Sequence, residues 1–223
     1  MPITELALLR LSSNVTIDDV RAKLAHAKKV MQDYTGRTFY YFQQTEDPTY
    51  IYIIGEWDSL DQHMNHFIPT KENQAVLVGL EDMLSVEWLL HFDASHAELP
   101  LPKTEAEKAK AKAGELVISI VRHSVRAAAK DAFEQTFEAN KHYVQDYLTE
   151  GMMGGGWRVD KKDGKEEWVL ICPYTSVQQH LDFAQTPEFE KYVRIREHID
   201  GAEIKHAKLL DIWGLMRQRV AGA

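Results

Sequence analysis

Two stretches of the chain read as copies of one another: GEWDSLDQHMNHF, Gly55–Phe67, and CPYTSVQQHLDFA, Cys172–Ala184. Superimposed without gaps, they match Ser59 with Ser176 and His63 with His180, while Trp57 becomes Tyr174 and His66 becomes Phe183. Each starts at the end of an aromatic, apolar run and passes through Ser into a helix-forming segment. A Ser at that place caps a helix by accepting from its first unpaired N–H groups. The features kept in both copies, the Ser and the His one turn later, read as scaffold. Trp57 and His66 occur only in the first copy, so a function is expected in the first half.

The repeat extends outward from these stretches. ELALLRL (Glu5–Leu11) resembles ELVISIV (Glu115–Val121), and each reads as a buried strand. A long amphipathic helix follows each. The first carries Ile17, Val20, Leu24, Ala27, Met31 and Tyr34 at helical spacing, with Thr16 as N-cap and Asp18 and Asp19 in its first turn. The second is marked by Phe133, Phe137, Tyr143 and Tyr147. Two hairpins come next. RTFYYFQQ and YIYIIGEW flank a turn at TEDPT, and GGGWRVDKKDGKEEWVLICPY turns at Asp163-Gly164. Each half then passes through short helices to a last strand, Ser85–Asp93 in the first and Ala202–Trp213 in the second.

Each half is therefore expected to run β-α-β-β-α-β, the ferredoxin-like split motif. Such a sheet has helices on one face only, and a second copy is the obvious cover for the other. The predicted fold is α+β: two ferredoxin-like repeats, residues 1–93 and 115–223, forming a single-chain dimeric α+β barrel. Residues 94–114, rich in Pro, Glu, Lys and Ala, read as a linker.

Composition narrows the partners. A net charge of −8 offers nothing to a phosphate backbone, so no nucleic acid is expected. No apolar run is long enough to span a membrane, and no signal peptide is expected. The single cysteine, Cys172, excludes an internal disulfide and points to a cytoplasmic setting. With both halves in one chain, a monomer or weak homodimer is expected.

Strand, Trp-x-Ser, and a helix with a His nine residues after the Trp resemble the antibiotic biosynthesis monooxygenase family. Trp57-Asp58-Ser59 and His66 carry that resemblance, and the strand ending near His91 extends it over most of residues 3–93. The resemblance implies a cavity between helices and sheet, faced by His66, and oxygenation of an aromatic substrate without a cofactor. Haem-degrading relatives have an Asn on the first strand and a Trp where His66 stands, and this chain has neither. A non-oxidative aromatic polyketide cyclase, or a non-catalytic binding or stress-responsive barrel protein, would share the fold.

The candidate site follows from these readings. His66 is the expected acid/base, because imidazole exchanges a proton near neutral pH. His63 and His66 share roughly one helical face and would suit two metal ligands, but the local spacing supplies no third, so no metal is expected. His63 reads as packed beside Leu60 and Phe67 with its ring satisfied by backbone. Trp57 and Trp88 are core residues that would also wall an aromatic ligand. Alternation sets Tyr50 and Tyr52 opposite Ile51, Ile53 and Trp57, and puts Tyr40 and Tyr41 on opposite faces, so one tyrosine should reach the cavity. Arg10 would hold an anionic group unless it lies at a wet strand end. Tyr40, Tyr52, His63, Trp88, His91 and Arg10 thus join Trp57 as expected substrate contacts. GMMGGGW (Gly151–Trp157) follows a helix, the reverse of a phosphate loop, and reads as a chain reversal.

Overall fold

A computed structural model of the chain describes residues 1–161 and 164–212. They fall into two compact units: Phe92–Lys208, and Met1–His91 together with residues 209–212. Asp163 and Trp213, expected in a turn and at a strand end, lie outside the described residues.

The first unit runs β1 (Ile3–Leu11), α1 (Ile17–Thr35), β2 (Tyr40–Gln44), β3 (Tyr50–Trp57), a π-helical turn (Gln62–Phe67), α2 (Lys71–Leu80) and β4 (Leu84–Phe92). Its strands lie in the order β4-β1-β3-β2, with β3 antiparallel to both β1 and β2. Helix α1 starts where the sequence places it. Thr16 accepts from the N–H of Asp19, and the Asp19 carboxylate accepts in return from the Thr16 N–H at 2.8 Å. It ends at Gly36, whose φ of 71° is the left-handed geometry that glycine adopts freely. Val20, Leu24, Ala27 and Met31 form its buried face. The β2–β3 turn is closed by Asp47, which accepts from both the N–H and the hydroxyl of Thr49.

The second unit contains α3 (Glu105–Lys112), β5 (Val117–Val125), α4 (Lys130–Gln145), β6 (Gly154–Trp157), β7 (Glu166–Tyr174), α5 (Val177–Phe183), α6 (Pro187–Tyr192) and β8 (Ile199–Leu209). Its strand order, β8-β5-β7-β6, repeats that of the first unit. Two boundaries differ from the sequence reading. The expected linker belongs to the second unit, where Leu99 and Leu101 are buried and α3 carries its own capping box at Thr104 and Glu107. The chain beyond β8 returns to the first unit: the N–H of Leu210 donates to the Tyr41 carbonyl, and Ile212 joins the first core. Burial of an apolar side chain decides both. No helix among the described residues is long and apolar enough to cross a membrane.

One glycine is held by packing. A Cβ on Gly55 would lie 2.1 Å from Cε1 of Phe39, a ring with no exposed surface that packs edge-on against Trp57. Gly55→Ala is expected to destabilise the protein by about 1–3 kcal/mol through overpacking, read as a lower urea midpoint at unchanged slope.

Candidate functional site: a carboxylate at the floor of an apolar cavity

Alternation aims Glu5, Ala7 and Leu9 of β1 at one face of the first sheet, and the strand register brings Ile53 of β3 and Tyr41 of β2 to the same face. Between this face and α1, the π turn and α2 lies a cavity of about 380 Å³. Leu24, Met31, Phe67 and Leu80 give it apolar walls. Leu77 and Val86 also line it while remaining well exposed, which places them at its mouth. The buried polar groups in its wall are Glu5, Tyr41, His63 and Asn73.

Glu5 is almost fully buried. The indole N–H of Trp57 donates to its Oε2 at 2.8 Å. Burial raises its pKa from an ordinary 4.5 to about 6, against the opposing pull of the Trp57 hydrogen bond and of His91. His63 stacks flat on the Trp57 indole, with ring centroids 4.0 Å apart and planes at 5°. Its Nε2 lies 3.9 Å from Oε2 of Glu5, and its Nδ1 lies 2.7 Å from Nε2 of His91. We assign the proton on His63 to Nε2, facing the carboxylate, so that Nδ1 accepts from His91 Nε2–H. His63 turns different nitrogens to Glu5 and His91, so the three groups do not converge on a point. Among the described residues no set of three metal-ligating side chains is placed to hold an ion. Beside the carboxylate, the Tyr41 hydroxyl is buried without a hydrogen-bond partner. Burial, and then the charge of Glu5, push its pKa upward, so it remains a donor.

The structure redistributes the residues expected here. His63 lines the cavity, and its ring meets side chains rather than backbone. Trp57 and His91 are fully buried behind it and hold Glu5 and His63 in place. His66 does not face the cavity. Its side chain is 64% exposed and sits 3.4 Å from the Asp61 carboxylate. The cause is the π turn, closed by the i→i+5 bond from the Ile68 N–H to the His63 carbonyl. A π turn takes one more residue than an α turn, so three residues sweep less of the circle and His66 swings away from His63. Phe67 then takes the inward place. It packs on Tyr34 at 5.1 Å, as Phe183 packs on Tyr147 at 5.0 Å in the second unit, where α5 is regular. The counterpart of Phe183 is thus Phe67, not His66.

Tyr40 and Tyr52 lie on the other side of their strands, where Tyr52 packs on Trp88 at 6.1 Å. None of these three lines the cavity. Arg10 alternates away from it too and stands exposed over the Tyr50 ring. Glu5 and Tyr41 were missed as site residues. Alternation held the signal for Tyr41, since Ile53 and Trp57 mark the inward face. For Glu5 the signal was a carboxylate inside an apolar strand, in register with Gly55.

The second unit repeats part of this arrangement. His180 stacks on Tyr174 at 4.5 Å and 11°, and its Nδ1 lies 2.8 Å from Nε2 of His206. Register places Ser119 opposite Cys172, as Glu5 lies opposite Gly55. The structural partner of Glu5 is therefore Ser119, and pairing ELALLRL with ELVISIV slips the strands by four residues.

No family model matches the chain, and no curated protein matches it in sequence. Solved structures share its fold. A candidate monooxygenase of Fusobacterium nucleatum subsp. nucleatum is 11% identical over 94% of this chain and 93% of its own, with a TM-score of 0.62. An anthrone oxidase-like protein is 12% identical over 94% and 91%, at 0.61. A chlorite dismutase of Candidatus Nitrospira defluvii, in complex with imidazole, is 9% identical over 97% and 94%, at 0.59. At these identities the likeness establishes a mixed α+β fold common to these proteins, and the reaction has to be argued from the residues.

Because the folded-state pKa of Glu5 is raised, ionising it weakens the folded state. Its contribution is fully favourable below pH 4.5 and declines as pH rises through 6, by about 2 kcal/mol in all. Gln keeps an acceptor for Trp57 but has no charge. Glu5→Gln is therefore expected to become the more stable protein above pH 6 and to lose that advantage near pH 4.5, measured by urea unfolding across this range.

Proposed function

We propose that this chain is a monooxygenase-like enzyme of the antibiotic biosynthesis monooxygenase type, built as tandem ferredoxin-like repeats. In this reading it oxygenates a flat aromatic phenol or anthrone in the first unit's cavity, with Glu5 as general base. The observation that carries the reading is a buried carboxylate of pKa about 6 at the floor of an apolar cavity of about 380 Å³. A base poised near neutral pH is suited to taking a proton from a weak acid. The cavity volume suits a small organic molecule. The fold shared with an anthrone oxidase-like protein supports the same substrate class.

The reaction is written for a substrate with an acidic CH₂ beside a phenol: R₂CH₂ + O₂ → R₂C=O + H₂O. Glu5 removes one proton, and the Tyr41 O–H donates to the oxygen on which the negative charge collects. The dry walls leave this anion electron-rich. It passes one electron to O₂, and the radical and superoxide combine to form the C–O bond. The peroxide anion takes back the proton held by Glu5. Loss of the second C–H proton with cleavage of O–O then releases the ketone and water. A non-oxidative cyclase would use the same base and consume no O₂.

Oxygen uptake with an anthrone is the test. Glu5→Gln is expected to lower turnover by about 10²–10⁴-fold, and Tyr41→Phe by about 10²-fold. His66→Ala should leave turnover within about twofold, since an exposed side chain away from the cavity loses nothing the chemistry needs. Full activity in Glu5→Gln would remove the proposed base, and product formed without O₂ uptake would select the cyclase.

A further inference from the structure

Charge and size limit what can enter the first unit's cavity. The acidic side chains in its lining are Glu5 at the floor and Glu81, which stands exposed. Among the described residues the lining holds no lysine or arginine. His63 accepts from His91 at Nδ1 and is neutral in that pairing. A molecule carrying a carboxylate or phosphate would give up its hydration to a wall that holds carboxylates and no compensating cation. Negative charge on the substrate therefore has to arise inside, by loss of a proton to Glu5.

Size gives the second limit. A cavity of about 150 Å³ accepts one benzene ring, so about 380 Å³ is filled by about three fused rings. Any further part of the molecule has to lie in the mouth. There Leu77 of α2 is 42% exposed and Val86 of β4 is 52% exposed, yet both belong to the same lining as the buried Leu24 and Leu80. The half-buried Val76 and Leu84 join them in it. Exposed apolar side chains that continue the wall of a cavity mark a surface for a ligand to cover.

We propose that the substrate is an uncharged fused-ring phenol bearing an apolar side chain, with the rings inside the cavity and the chain leaving across Leu77 and Val86. The assignment rests on the reading of this cavity as the reaction site. A chain ending in an anion would meet the Glu81 carboxylate on its way out. A fully buried methylene tightens binding about fourfold. At a mouth half open to water about half of that free energy is recovered, or about twofold per methylene.

The test measures binding and turnover separately. The full-length protein is titrated calorimetrically under nitrogen with 1,8-dihydroxyanthrone and with its 3-ethyl, 3-butyl and 3-carboxylate derivatives. Oxygen uptake is then recorded with the same compounds. The butyl compound is expected to bind about sixteenfold tighter than the parent and the ethyl compound about fourfold tighter. The carboxylate should bind about tenfold more weakly than the parent, or worse. Combining Leu77→Ser with Val86→Ser should cut the butyl advantage to about fourfold or less. Leu181→Ser, a similarly exposed position in the second unit, should leave that advantage unchanged. Affinity independent of chain length overturns the proposal. So do a carboxylate that binds as tightly as the parent and a butyl advantage that survives the double substitution. Chain-dependent binding without oxygen uptake supports the placement of the chain and removes the oxygenase reading, so the two fail separately.

Discussion

Placing Glu5 in the middle of an apolar sheet face takes a carboxylate out of water, and an isolated buried charge is not tolerated without partners. The arrangement of the first unit follows from how that group is held. Trp57 supplies its N–H from two residues beyond Gly55, which lies across the strand from Glu5. The indole is fixed in turn by Phe39 at its edge and His63 on its face. Phe39 reaches that place because position 55 has no side chain. Removing the Trp57 N–H would leave the carboxylate buried and unsolvated, so the ring acts as scaffold and electrostatic support together.

The π turn is the second constraint. It keeps His63 against Trp57 and Glu5 while turning Phe67 inward, and it carries His66 out to solvent. In the second unit an ordinary helix does the equivalent packing with Phe183. The one-residue difference leaves the His pair intact, since 2.7 Å in the first unit matches 2.8 Å in the second. π turns often mark functional sites, and here the turn sits in the unit that holds the carboxylate.

Much of the fold was legible because the signals were local. Thr16 with Asp19, Ser59, Ser176 and the Asp47 turn each state their own geometry within three or four residues, and the structure contains each. The site was legible only in part. An ungapped comparison cannot show a π turn, so His66 was laid over Phe183. Apolar strands carry no register of their own, so Glu5 was laid over Glu115 and its true counterpart Ser119 was hidden. Alternation separated Tyr40 from Tyr41 correctly, but choosing between them required knowing which face the helices cover. The partnership of His63 with His91 spans 28 residues and has no local signature.

The two units differ most where a charge is costly. Both keep the stacked imidazole and its His partner, which satisfy one another at any pH where one ring is neutral. Only the first keeps a carboxylate beneath them, at a cost of about 2 kcal/mol at neutral pH. The second unit carries Ser119 at the matching position: neutral, smaller and indifferent to pH. Phe183, Phe189 and Tyr192 line the second unit's cavity, which at about 90 Å³ is smaller than the 380 Å³ of the first. A buried carboxylate that lowers stability at neutral pH is what the proposed general-base role of Glu5 would require.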